Sequence, residues 1–322
     1  MNLKDIAHIG ILGAGLMGPG IAQIFASAGY RVNVFDLDPA AGANVKNRIT
    51  ANFDPFIALK LATPEDRNRC LEQITTTGSL EELCAGPQVL IEAVSEDLAV
   101  KKKVFSTMEE LTPSETILAS NTSALSITAI GEALENKGRF LGTHFWNPPQ
   151  IVPCVEVIRG DHTDQEIFET VYALMEKAKK VPVRVMKDVP GFLGNRLQHA
   201  MWREAVSLRE KNIASAEDID KVVKYGFGLR TPFIGPLETA DLAGLALTCD
   251  IHEYLFPYLE SASIPSPFLK MLVADGATGA KAGRGFYDWP PEKLQALIQQ
   301  RDTVLLRIIG EILPEGKELV TS

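Results

Sequence analysis

Positive charge, cysteine and long apolar runs are all scarce in this sequence. Lys and Arg number 32 against 41 Asp and Glu, a formal net charge of -9. That acidity argues against the concentrated basic surface on which nucleic-acid and anionic-membrane binding depend, though it leaves room for local basic clusters. The four cysteines, Cys70, Cys84, Cys154 and Cys249, contain no C-x-x-C pair, which argues against a disulfide framework or a zinc site and for a reducing compartment. The five histidines form no H-E-x-x-H pattern or other ligand cluster, so no metal is expected. No apolar run approaches the ~20 residues that span a bilayer. No succession of basic, apolar and small residues marks a secretory signal, because a strand-like run, Ile6–Leu12, begins almost at once. A soluble cytoplasmic protein is the expectation, with neither membrane nor nucleic acid as partner.

A chain of 322 residues predicts two domains at roughly 150 residues each, with ample core and no need of staples. The first part alternates strand and helix signals. Ile6–Leu12, Arg31–Asp36, Val89–Val94, Thr116–Ser120, Phe140–Phe145, Pro153–Ile158 and Val181–Met186 read as strands. Leu16–Ala28, Leu98–Leu111, Gln165–Lys180 and a stretch starting near Asp38-Pro39 read as helices. Strands separated by helices imply right-handed crossovers and a mostly parallel sheet covered on both faces. After Asp188-Val189-Pro190-Gly191 helical patterns dominate: Phe192–Lys211, Ser215–Lys224, Leu237–Leu259 and Lys293–Leu313. Glycine and proline cluster between them at Gly226–Pro236 and Pro265–Pro267. The expected organisation is an α/β domain over 1–188 and an all-α domain over 189–322.

Gly13-Ala14-Gly15-Leu16-Met17-Gly18 is a G-x-G-x-x-G that follows a strand and opens a helix. In that context the pattern predicts a Rossmann-type dinucleotide site. Gly13 allows the tight turn, Gly15 lets backbone approach a pyrophosphate, and Gly18 lets the helix pack on the strand. Asp36 closes the second strand where a carboxylate binds ribose hydroxyls. Its charge, with no Arg directly after it, selects NAD over NADP.

A dinucleotide fold does not name a reaction. Strand ends carry Ser120-Asn121-Thr122-Ser123, His144 and Glu156, and the turn Asn147-Pro148-Pro149 can fold His144 back toward Glu156. A histidine oriented by a carboxylate is what removal of an alcohol proton needs; Ser123 and Asn195 can hydrogen-bond the substrate oxygen or the histidine. Spacing equally allows plainer roles. His144 can be a core histidine, Glu156 a surface charge, Ser123 the cap of a helix near Leu125, Asn195 a bond within the Gly191–Arg196 turn, and Lys101, Lys102 and Lys103 a solvated helix face.

Over essentially its whole length the chain resembles the L-3-hydroxyacyl-CoA dehydrogenase family. The likeness rests on Gly13–Gly18, Ile91–Glu96, Ala119–Ser123, His144–Pro148, Val155–Ile158, Pro190–Arg196 and Lys281–Tyr287, in order. It implies His144 as general base paired with Glu156, and Ser123 and Asn195 around the substrate oxygen. Glu96, Lys101, Ser123, Asn147 and Lys281 would contact the dinucleotide. A homodimer through the helical domain is implied as well, and Leu237–Leu259 is apolar enough for such an interface or for an ordinary core.

Oxidation of a 3-hydroxyacyl-CoA is the leading reaction that the resemblance implies. Two departures point elsewhere. The stretch Asn44–Leu61, lysine-rich in enzymes that take CoA thioesters, has only Lys46, Arg48 and Lys60, and Asp54-Pro55 interrupts it; a CoA phosphate calls for clustered cations. Val152 and Pro153 stand where those enzymes carry a methionine-lysine pair. The proline-rich turn is more similar to branches that oxidise free hydroxy acids or small alcohols, and Trp146 offers either a flat surface for an aromatic substrate or core filling. The resemblance also admits a non-enzymatic NAD-binding structural protein, like relatives in eye lens.

Overall fold

A computed structural model of the protein describes residues 2–313. Two compact units emerge: one runs through Asn195 and takes up the chain again from Asp302, the other is Arg196–Arg301.

The first unit is built on an eight-stranded sheet in the order β3-β2-β1-β4-β5-β6-β7-β8. Its strands are β1 (His8–Leu12), β2 (Arg31–Phe35), β3 (Ile74–Thr76), β4 (Val89–Glu92), β5 (Ile117–Ser120), β6 (Phe140–Phe145), β7 (Cys154–Ile158) and β8 (Val181–Val185). All neighbours pair parallel except β6 and β7, which run antiparallel. Side chains alternate between faces with a period of two. Ile9, Ile11, Val89, Ile91, Ile117 and Ala119 therefore enter one core with Ile21, Phe25, Phe53 and Phe168. Leu12, Leu90 and Leu118 enter the other with Phe105, Met108 and Phe140. Both faces are covered, as the near-continuous apolar strands require.

Three local departures from the sequence pattern have physical causes. β3 is an extra edge strand whose Thr75 and Thr76 are exposed, so no apolar run announces it. The helix Val45–Ala58 continues through Pro55 rather than being interrupted there. Proline forfeits one backbone hydrogen bond, but Phe53 and Phe56 on either side are fully buried in the core they share with Ile21 and Phe25. The long pattern Leu237–Leu259 is two helices, Pro236–Ala243 and Leu245–Leu255, because Gly244 takes a positive φ of 95° that ends the first.

The second unit is helical. Besides those two helices it holds Ala216–Tyr225, Pro267–Ala274 and most of Gly194–Glu210. Pro267, expected in a connecting segment, opens a helix that Ser266 caps by accepting from the amide of Leu269. The last helix, Pro291–Ile312, begins in this unit and ends in the other, where Leu306 and Ile309 are buried in the first unit's core. Among the described residues no helix is long and apolar enough to cross a membrane, and no His, Cys, Asp and Glu cluster could hold a metal.

Candidate active site

The carboxyl ends of β1, β2, β4, β5 and β6 share one edge of the sheet, with the reversal of strand order between β1 and β4. Crevices of this kind are where open α/β sheets bind ligands. At the end of β1, Gly13 has φ 105° and a Cβ there would lie 2.6 Å from the carbonyl oxygen of Ala93; a Cβ on Gly18 would lie 1.8 Å from the oxygen of Gly13. Both glycines are demanded by the protein's own packing. Gly15 is different: a Cβ there would meet nothing within 4 Å, so its glycine serves something other than the chain itself, as close approach to a pyrophosphate would require. Ala14 is buried, Leu16 is exposed and Met17 is half-buried.

Asp36 follows β2. Its Oδ2 accepts from the amide of Ala14 at 2.6 Å and its Oδ1 from the amide of Asp38 at 2.8 Å. Each carboxylate oxygen keeps lone-pair capacity for a ribose hydroxyl. Arg48, on the helix Val45–Ala58, reaches the same loop from the other side. Its Nη1 donates to the carbonyls of Ala14 (2.8 Å) and Gly15 (2.7 Å), and Nη2 to that of Leu16 (3.4 Å). Sequence reasoning counted Arg48 only among the few cations of its helix. Backbone carbonyls have no side-chain signature, so nothing in the sequence marks them as its partners.

Lys101 is not part of a solvated face. It is 1% exposed and its Nζ donates to Oε1 of Glu92 at 2.6 Å. Glu92, fully buried at the end of β4, also accepts from the amide of Val94 and from the hydroxyl of Ser120 on β5. Lys101 lies 3.5 Å from Oε2 of Glu96, whose Oε1 accepts from the hydroxyl of Thr122 and the amides of Ser123 and Ala124. Burial opposes the charge on Glu96, but Thr122, Lys101 and the two amides outweigh it and hold the carboxyl below its ordinary range. The Glu92–Lys101–Glu96 chain thus sets the backbone of Ser123. Lys102 is half-buried and pairs with Glu132; Lys103 is exposed.

His144 and Glu156 face each other in the antiparallel register of β6 and β7. Directly opposed residues on such a pair have Cβ atoms about 5 Å apart, and here Nδ1 of His144 meets Oε2 of Glu156 at 2.7 Å. The two side chains are 5% and 3% exposed, so Glu156 is no surface charge. Its Oε1 accepts from the amides of Leu193 and Gly194 at 2.9 and 3.0 Å. Burial works against ionisation of Glu156, yet the His144 hydrogen bond, the amides of Gly194 and Leu193 and the imidazole's charge prevail, and its carboxyl titrates below the usual range. With Nδ1 donating to that carboxylate, the Nε2 lone pair is the one able to take a proton.

The remaining candidates fall around this pair. Asn195 donates from Nδ2 to the carbonyl of Ser123 at 2.6 Å instead of bonding within its own turn. Ser123 is exposed and caps no helix; Ser126 caps Ile127–Gly131. Trp146 lies 5.0 Å from the His144 ring, centroid to centroid, and its Cζ2 stands 2.1 Å from where a Cβ on Gly194 would be. Asn147 is exposed at the start of the turn. That turn is tied from beneath by Lys180, which is buried and donates to the carbonyls of Pro149 (2.6 Å) and Val152 (2.9 Å). Sequence reasoning passed over Lys180 because it follows a run of helix-end lysines. Lys281 lies exposed in the second unit.

Residues 8–189 match the family model described as 3-hydroxyacyl-CoA dehydrogenase, NAD binding domain, and residues 191–289 the model described as its C-terminal domain. The chain is 33% identical to the 5-formyl-3-hydroxy-2-methylpyridine 4-carboxylate 5-dehydrogenase of Mesorhizobium japonicum, over 97% of this chain and 100% of that protein. It is 38% identical to a probable 3-hydroxybutyryl-CoA dehydrogenase of Bacillus subtilis, over 88% of this chain and 98% of the relative. Among solved structures, that of a 5-formyl-3-hydroxy-2-methylpyridine 4-carboxylic acid 5-dehydrogenase, described as an NAD+ dependent dismutase, superposes with a TM-score of 0.89 at 32% identity, covering 97% of this chain and 100% of that one.

Proposed function

The chain belongs to the 3-hydroxyacyl-CoA dehydrogenase family and is an NAD-dependent oxidoreductase acting on CH-OH groups; within that frame we propose that its substrate is a small hydroxy acid or aromatic alcohol carrying no CoA. Bound NAD supplies the hydride acceptor. His144 takes the hydroxyl proton on Nε2 as hydride leaves the carbinol carbon, and returns it when a ketone is reduced. Glu156 fixes the tautomer of the ring and stabilises the imidazolium that forms. Ser123 offers its hydroxyl to the substrate oxygen, and Asn195 holds the Ser123 backbone in place. Gly13–Gly18 and Asp36 receive the dinucleotide, with Glu96 and Asn147 framing its nicotinamide end and the buried Lys101 holding Glu96 in place.

One observation carries the CoA-free reading: the guanidinium of Arg48 is spent on the carbonyls of Ala14, Gly15 and Leu16. Of the cations between Asn44 and Leu61, that leaves Lys46 and Lys60 to meet the phosphates of a CoA, too few for the clustered charge such a group calls for. Trp146, half-buried beside His144, adds a flat wall suited to an aromatic ring. The likeness to the Bacillus relative favours the second reading, a 3-hydroxyacyl-CoA substrate.

NADH formation separates the two. Free 3-hydroxybutyrate or small aromatic alcohols such as hydroxymethylpyridines should turn over and L-3-hydroxybutyryl-CoA should not. Turnover of the thioester alone would overturn the CoA-free proposal.

We also propose a homodimer through the second unit. Leu237, Leu242, Leu245, Tyr254 and Phe256 there are more than half exposed, a density of apolar surface that calls for a partner. Four free thiols suit the reducing cytoplasm proposed for the protein.

A further inference from the structure

The glycine-rich loop holds a set of amides whose direction is decided from behind. In a trans peptide the C=O of one residue and the N–H of the next point to opposite sides of the chain, and the only cis bond among the described residues is Asn147–Pro148. Arg48 draws the carbonyls of Ala14, Gly15 and Leu16 toward one guanidinium. The amides that follow them, those of Gly15, Leu16 and Met17, must therefore point away from Arg48, to the opposite side of the loop. Among the described residues none of these three amides donates to any protein acceptor. The amide of Ala14, by contrast, is taken by Asp36.

We propose that Arg48 is a positioning residue for the dinucleotide: by gathering three successive carbonyls behind the glycine-rich loop, it turns the amides of Gly15, Leu16 and Met17 toward the pyrophosphate. Successive backbone amides aimed at one point form an anion-binding cradle, and here it is continuous with the N-terminus of the helix Gly18–Ser27. Asp36 and Arg48 grip the Ala14 residue from its two ends, the carboxylate on its N–H and the guanidinium on its C=O. The ribose-binding carboxylate and the phosphate-binding amides are thereby built into one rigid piece. Only a planar fork does this job: two carbonyls on Nη1 and a third on Nη2 need the several fixed donors that a lysine ammonium lacks. The inference rests on NAD use alone and is indifferent to the identity of the alcohol.

The test compares NADH, ADP and adenosine as ligands of the full-length wild-type protein and of Arg48→Met and Arg48→Lys, by calorimetry or nucleotide fluorescence. ADP carries the pyrophosphate and adenosine does not. Arg48→Met should bind NADH and ADP roughly tenfold or more weakly, the scale of losing hydrogen bonds to a charged group, with adenosine affected much less. The KM for NAD should rise by a larger factor than kcat falls. Arg48→Lys, which keeps the charge without the fork, should resemble Arg48→Met rather than wild type. Unchanged NADH affinity in Arg48→Met, or an equal loss for adenosine, overturns the proposal. So does full rescue by Arg48→Lys, which would mean that charge alone and not the aiming of amides matters. Should Arg48→Met fail to fold, the lysine variant decides on the same ligands.

Discussion

The indole of Trp146 lies across the space that a Cβ on Gly194 would occupy, 2.1 Å from Cζ2. The two residues are neighbours because Gly194 also gives its amide to Glu156, and Trp146 packs on His144. The start of the helix Gly194–Glu210, the His144–Glu156 pair and the Trp146 indole are therefore set by one another.

A methyl group on Gly194 should accordingly push either the indole or the helix start. Gly194→Ala is expected to lower kcat by roughly tenfold or more, since displacements of about 1 Å carry costs of that order. The same change in a Trp146→Ala background should cost much less, and equal costs in the two backgrounds would refute the coupling.

For His144, substitution by Gln should cut kcat by roughly 10²–10⁴, the usual worth of a general base. NADH binding, measured directly, should survive. A fully active His144→Gln protein would remove the proton-transfer role assigned to it.

Removing the charge at position 156 affects both function and stability. Glu156→Gln leaves His144 without its counter-charge, so kcat should drop, and the variant should unfold at lower temperature at neutral pH. The folded carboxyl titrates below its ordinary value, so its contribution to stability is complete above the ordinary carboxylate range and vanishes as pH falls through the lower folded value. Wild type and Glu156→Gln should therefore converge in melting temperature toward acid pH.

Lys180 predicts a slope of the same sign in a more alkaline window. Burial pushes its ammonium down to about 7 from an ordinary 10.5, with a charge on Cys154 the opposing influence. Between those two values the unfolded chain binds the proton and the folded one does not, so stability rises with pH across the window. Lys180→Met should be more stable than wild type relative to its own alkaline value at pH 6, and the difference in melting temperature between the two should shift steadily from pH 7 to 10. A pH-independent difference would show that the buried amine keeps its proton.

Asp36→Asn keeps an acceptor for the Ala14 amide but loses the charge. NAD should bind more weakly and the preference over NADP should shrink, as competitive titration of the two cofactors would measure. Undiminished discrimination would place cofactor choice elsewhere.

The parts of this architecture that follow repeating physical rules were legible from residues alone. Gly13 and Gly18 are compelled by backbone contacts that every loop of this shape makes, and the buried strands announce themselves as apolar runs. What escaped depends on partners distant in sequence. Lys101 reads as one of three adjacent cations until Glu92, nine residues earlier on a strand end, is seen to bury it. Arg48 looks like a weak phosphate ligand because carbonyl partners leave no pattern. Gly244 looks like one more helix position, since the sign of φ is invisible in a letter. His144 and Glu156 were found as a pair because a short turn between two strands limits their pairing register; their burial was not legible.

The last helix has a consequence for synthesis. Leu306 and Ile309 fill the core of the first unit, although the family match ends at residue 289. On the ribosome the cofactor-binding unit cannot complete its interior when residue 195 emerges; it must wait while all of Arg196–Arg301 is made. Its core lacks Leu306 and Ile309 for that interval, leaving apolar side chains unburied that the finished chain covers.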